Sequence, residues 1–149
     1  MNVNKIIQFF SKSSRKGIIH RRLKKYVYRY MRAVYSMDIP PSVNMKDVYV
    51  CHNGFGIVIN PNSVIGGGTV IQHSVTIGEM DGTSHAAPVI GKKCYIGARA
   101  MVLGDIKIGD NVKIGAGAVV IHDVPDDCTV VGVPAKIVKR ANTHEDGND

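Results

Sequence analysis

Six histidines stand in this chain: His20, His52, His73, His85, His122 and His144. Histidine is the side chain whose ordinary proton exchange falls near neutral pH, so a general acid or base is sought first among them. His20, His122 and His144 have no convergent partner in the sequence. His52, His73 and His85 are the three that a repeating fold could bring to one groove. The three cysteines, Cys51, Cys94 and Cys128, are odd in number and show no CxxC spacing. Neither a disulfide framework nor a zinc knuckle is indicated, and reduced thiols in a cytoplasm are the simplest account.

The charge is unevenly spread. Nineteen Lys and Arg against twelve Asp and Glu give a net +7, and residues 1–37 hold ten of the bases and no acid. Tyr26, Tyr28, Tyr30 and Tyr35 are interleaved with those bases. Such an arm could meet nucleic acid, anionic lipid or cofactor phosphates, or be a solvated helical face. Of these, peripheral contact with a membrane through the basic N-terminus is carried forward, and nucleic acid is not. No apolar run approaches the roughly 18 residues that span a bilayer, and Ile6 to Phe10 is too short for a signal peptide's apolar region. The expected location is cytoplasmic, with the inner membrane face as an option.

The elements that must position these residues follow from a period of six. Aliphatics fall at Ile59, Ile65, Ile71 and Ile77, then at Ile90, Ile96, Val102, Ile108, Ile114 and Val120, and glycine follows most of them directly. Small or β-branched residues such as Ser63, Thr69, Cys94, Ala100, Val112 and Ala118 come four residues after an aliphatic. Neither a helix nor a plain strand repeats every sixth residue. A triangular solenoid does, with one short strand and a corner per hexapeptide and about eighteen residues per coil. The aliphatics point to the axis, and glycine is expected to relieve awkward corner dihedrals. With aromatics at only 6% and no Trp, the core is thin and aliphatic.

Residues 1–36 show apolar residues at three- and four-residue intervals and are expected to form a basic helical segment capping the coils. Residues 37–140 form the solenoid. Residues 79–88 break the period with EMDGTSHAAP and form a loop thrown out of it, the usual place for function in a solenoid. Residues 141–149 are expected to form a frayed tail.

The stretch from Asp38 to Arg140 resembles the catalytic half of serine O-acetyltransferases and the related acetyltransferases of bacterial surface-polysaccharide gene clusters. The residues that carry the likeness are Asp38-Ile39-x-Pro41, His52 through Ile59, Val75-Thr76-Ile77-Gly78 and Ile96-Gly97-Ala98 to Leu103-Gly104. Lys113 through Gly117 and the closing Gly132-Val133-Pro134-Ala135-Lys136 continue it. The resemblance implies a left-handed parallel β-helix with an N-terminal α-helical cap, a homotrimer, and a groove between subunits where acetyl-CoA and the acceptor meet. It further implies His52 as the base that takes the acceptor's hydroxyl proton and Asp38 as the carboxylate that orients it. A neutral imidazole suits that task at pH 7, and backbone N–H groups can hold the oxyanion. Gly78, Ala98 and Ala116 match positions along which the pantetheine arm runs. Lys113 and Lys136, with Lys139 and Arg140, are candidates for the CoA phosphates.

The chain also departs from the family pattern. Counted back from the IVI stretch, the base register falls on Asn53, with His52 one residue earlier. Either the turn around Gly54 and Gly56 absorbs a residue, or Asn occupies the base position; Asn cannot be a general base, so His52 is expected. Cys51 replaces the acidic residue that precedes the histidine in the serine-specific enzymes, the long N-terminal helical domain of those enzymes is missing, and His85 stands three residues before Pro88. These differences favour a sugar hydroxyl as acceptor, with L-serine as the alternative, and Asn53, His73 and His85 as acceptor contacts. The blander readings are a turn cap for Asp38, an outward strand residue for His73 and plain exposure for His85. Zinc carbonic anhydrases share the solenoid, and His52, His73 and His85 could be imagined as ligands. The close His pair of that family is lacking, so no metal is expected. A non-catalytic trimeric scaffold is the remaining alternative.

Overall fold

The computed structural model describes residues 3–12, 18–45, 47–80 and 86–140. Two helices open the chain, α1 (Val3–Lys12) and α2 (Ile18–Tyr35). The first coil comprises β1 (Asn44–Met45), β2 (Tyr49–Val50) and β3 (Val58–Ile59), and the second β4 (Val64–Ile65), β5 (Val70–Ile71) and β6 (Thr76–Gly78). The third holds β7 (Val89–Ile90), β8 (Tyr95–Ile96) and β9 (Met101–Leu103), and the fourth β10 (Lys107–Ile108), β11 (Lys113–Ile114) and β12 (Val119–Val120). The final pair is β13 (Cys128–Gly132) and β14 (Ala135–Arg140).

These strands form three faces of a left-handed parallel β-helix, ordered β1-β4-β7-β10, β2-β5-β8-β11-β13-β14 and β3-β6-β9-β12. Every pairing is parallel except β13 with β14, which turn back antiparallel and close the last coil. In most strands the first residue faces outward and the second is buried, the period of two expected when only one face meets a core. All ten aliphatics of the six-residue series are buried, and so are the small or β-branched residues four positions on. Each buried Ile or Val contributes about 1.5 to 3 kcal/mol through removal of its surface from water.

The helices cover the open end of the first coil. Val3 and Ile7 of α1 and Met31 of α2 are buried with Met37, Ile39, Val43 and Val50. The exposed edge of β2 is completed by a side chain: the Asn4 amide donates to the Val50 carbonyl at 3.0 Å and accepts from the Val50 N–H at 2.8 Å. This pairing removes the template that an unpaired strand edge would offer to other chains.

The part expected of glycine at the corners is corrected by the geometry. Gly66, Gly91, Gly97, Gly109 and Gly115 do not have left-handed φ. They are required by stacking: a Cβ on Gly66 would lie 2.5 Å from the Gly91 carbonyl carbon, and one on Gly97 2.5 Å from the Ala116 nitrogen. The left-handed corner falls two residues later, at Gly68 (φ 77°), Lys93 (55°), Arg99 (60°), Asn111 (57°) and Gly117 (68°). Gly97→Ala should therefore cost about 3 kcal/mol or more, at the upper end of overpacking because the obstacle is backbone. A Cβ on Gly117 would meet nothing within 4 Å, so Gly117→Ala should cost only the left-handed strain of about 1 to 2 kcal/mol. Urea unfolding of the two variants checks this, and equal costs would refute the stacking explanation.

Candidate active site

Strand register brings four of the singled-out residues into one column. Val50, Ile71, Ile96 and Ile114 lie side by side in β2, β5, β8 and β11. His52, His73, Ala98 and Ala116 each follow their member of that row by two residues. They occupy successive rungs of one corner of the solenoid. Stacking along the corner is maintained by backbone hydrogen bonds, from Arg99 N–H to the His73 carbonyl at 3.1 Å and from Gly117 N–H to the Ala98 carbonyl at 2.8 Å. The column thus carries two imidazoles on its first two rungs and two methyl groups on the next.

The His52 corner is built differently from those above it. Nine residues separate Val50 from Ile59, whereas six separate Ile71 from Ile77 and Ile96 from Val102. The extra length forms a left-handed turn: His52, Asn53 and Gly54 have φ of 50°, 54° and 69°, with the Phe55 N–H donating to the His52 carbonyl at 3.3 Å. Gly54 is needed here both for that φ and for space, because a Cβ would strike the Met37 sulfur and reach 3.0 Å from a Val50 methyl. The turn leaves the His52 side chain exposed and sets its ring edge-to-face with His73, centroids 5.1 Å apart at 88°. The His73 Nδ1 atom is buried without a hydrogen-bond partner. Beneath the pair, Gln72 Nε2 donates to Cys51 Sγ at 3.2 Å. The Asn53 side chain is exposed.

Asp38 makes a parallel bridge to Val58 and so begins the outward row Asp38, Val58, Thr76, Met101, Val119 of the third face. Its carboxylate is held by α2. The Tyr28 hydroxyl donates to Oδ1, and Arg32 Nη2 lies 3.5 Å from Oδ2. Arg32 also lies over the Tyr28 ring, 5.8 Å from its centroid. Burial, together with the adjacent Asp38 carboxylate, pushes the Tyr28 hydroxyl pKa up, so it remains a donor at neutral pH. Reading the sequence missed both Tyr28 and Arg32. Their signal was present in the four-residue spacing, which puts an acceptor-seeking phenol and guanidinium on one helical face shortly before a lone carboxylate.

The other candidates are dispersed. Gly78 lies at the far end of β6, across the third face from the histidine column. Among the described residues a Cβ there would meet only Asn60 Cβ at 3.9 Å, so unlike Gly66 and Gly97 it has no backbone of a neighbouring described coil against it. Lys113 is exposed on the second face, beside Thr129 and Lys139, and these three help to line an open cavity with Asn111, Asp127 and Cys128. Lys136 is exposed on β14. His85 lies outside the described residues. Among the described residues no three His, Cys, Asp or Glu side chains converge as a metal-binding group. Cys51, Cys94 and Cys128 are free thiols, and burial pushes the Cys94 thiol up, consistent with a core role.

A parallel solenoid of six-residue rungs with a histidine-bearing corner defines a class, and comparison with known proteins agrees. The bacterial transferase hexapeptide (six repeats) family matches residues 87–122. A serine acetyltransferase of Helicobacter pylori strain 26695 is 35% identical over 129 residues, covering 82% of this chain and 74% of that protein. The chain belongs to the bacterial hexapeptide-repeat transferase family. Within it, the colanic acid biosynthesis acetyltransferase WcaB of Escherichia coli K12 is 39% identical over 103 residues, 69% of this chain and 64% of that protein. The crystal structure of Neisseria gonorrhoeae serine acetyltransferase (CysE) in complex with serine superposes with a TM-score of 0.72 at 39% identity, covering 80% of this chain and 49% of that one. The chain spans about half the length of several curated relatives it matches.

Proposed function

We propose that the protein transfers an acetyl group from acetyl-CoA to a hydroxyl acceptor, with His52 as the general base. The observation that carries this reading is the corner column, which presents an exposed imidazole braced by a second ring and followed by two small residues. His52 takes the acceptor's hydroxyl proton as that oxygen attacks the thioester carbonyl. The C–S bond then breaks, the acetyl ester forms, and the imidazolium returns the proton to the departing thiolate. Asp38, held by Tyr28 and Arg32, supplies a fixed negative charge on the adjoining face. Acetyl-CoA would supply the activated acyl group, and the Ala98 and Ala116 rungs, with Gly78 on the opposite edge, leave room for a narrow pantetheine chain. The exposed Lys113 and Lys136 suit its phosphates. A homotrimer is part of this proposal, because one solenoid offers a single wall of a groove.

L-serine is the acceptor best supported by the names of the similar proteins, ahead of the sugar hydroxyl that the sequence alone favoured. A sugar hydroxyl remains the second reading, favoured by Cys51 in place of an acid before His52 and by the likeness to a colanic acid acetyltransferase. An acceptor screen that follows CoA thiol release, with L-serine, nucleotide sugars and lipid-linked sugars, tests both. Turnover on serine is the expected result. Turnover on saccharides alone would reverse the order, and none on any hydroxyl compound would refute acetyl transfer.

A further inference from the structure

The outer face of α2 sets exposed apolar side chains beside a border of bases. Its inner side is committed: Met31 is buried in the cap, Val27 packs against the core, and Tyr28 and Arg32 hold Asp38. On the solvent side Leu23, Tyr26, Tyr30 and Val34 are 49%, 67%, 46% and 50% exposed. At 100° per residue these four fall within one continuous stripe, and Ala33 extends it. Arg22, Lys25 and Arg29, all exposed, run along its border, and α2 contains no acidic residue.

We infer that this face of α2 docks on an anionic lipid surface. The apolar stripe has the composition of an interfacial helix, in which Leu and Val enter the acyl boundary while the Tyr rings sit at headgroup level with their hydroxyls wet. The bases on its border are placed to meet lipid phosphates. Charge complementarity selects this occupant over a second copy of the chain. A two-fold pairing of α2 would bring Arg22, Lys25 and Arg29 against their own copies with no acid between them. Nucleic acid would satisfy the bases and leave Leu23 and Val34 without use. No helix among the described residues is long and apolar enough to cross a membrane.

The test is co-sedimentation of the full chain with vesicles of phosphatidylglycerol and phosphatidylcholine in equal parts, and with phosphatidylcholine alone, at low and high sodium chloride. Wild type should pellet with the anionic vesicles only and be released as salt rises. Arg22→Gln with Arg29→Gln should weaken partitioning by about fivefold per charge. Leu23→Ser, Tyr26→Ser and Tyr30→Ser together keep every charge and should weaken it by roughly tenfold or more through lost apolar burial. Unchanged circular dichroism and melting would show that these exposed positions leave the fold intact. Binding by the serine variant equal to wild type would overturn the inference. So would indifference to vesicles, displacement from them by a short DNA duplex, or a stripe-dependent self-association in place of vesicle binding.

Discussion

His52→Ala is expected to lower turnover roughly 100- to 10,000-fold, the usual contribution of a positioned general base. The mass of the assembly by light scattering should equal that of the wild type, and acetyl-CoA binding by calorimetry should be unchanged, because His52 is exposed on a turn with its ring against His73. Asn53→Ala is the paired measurement. Asn53 shares the left-handed turn, so its replacement carries a similar backbone effect without removing an imidazole. It should cost far less than His52→Ala. The reverse ranking would mean that the base register lies on Asn53 and that the enzyme uses other chemistry, or none.

Ile96→Ala is expected to cost about 2 to 5 kcal/mol of stability. Ile96 is fully buried and stacks directly between Ile71 and Ile114, so its loss leaves a void in the middle of a narrow column that can collapse little. A solenoid is held by interfaces between neighbouring coils, and the weakened layer separates the two halves of the stack. Lys107→Ala, on an outward position of β10, should stay within about 0.5 kcal/mol. Urea denaturation compares the two, and a cost below about 1 kcal/mol for Ile96→Ala would contradict a close-packed axis.

The fold was legible in the chain because its structural unit is covalent and short. Six residues complete one strand and one corner, so the inward aliphatic and the small residue four positions on must repeat at that interval wherever the helix continues. Ile59 to Val120 therefore announce the core without knowledge of any long-range contact. The glycines were equally visible, but their reason was not. Whether Gly97 needs its dihedral or its missing Cβ depends on how closely Ala116 passes in the next coil.

The site lay partly beyond that reach. Sequence alone named His52, His73, Ala98 and Ala116 and offered one groove to the two histidines, but could not put all four in one column, because which residues share a corner depends on the residues accumulated in every earlier turn. The longer first corner and the 52–54 turn shift that count, and only strand pairing between coils reveals the column. Gly78 ends β6 on the third face, whereas Ala98 and Ala116 follow strands of the second, so it lies on another edge. Asp38 was named with an orienting role toward the base; what the sequence could not show is that Tyr28 and Arg32 hold its carboxylate, since folding α2 across the end of the coils brings a helix face to it. The hexapeptide thus determined which side chains face the axis, a local property of chain period. Tertiary packing decided which of the outward ones meet, because that depends on coil length and on the placing of the cap.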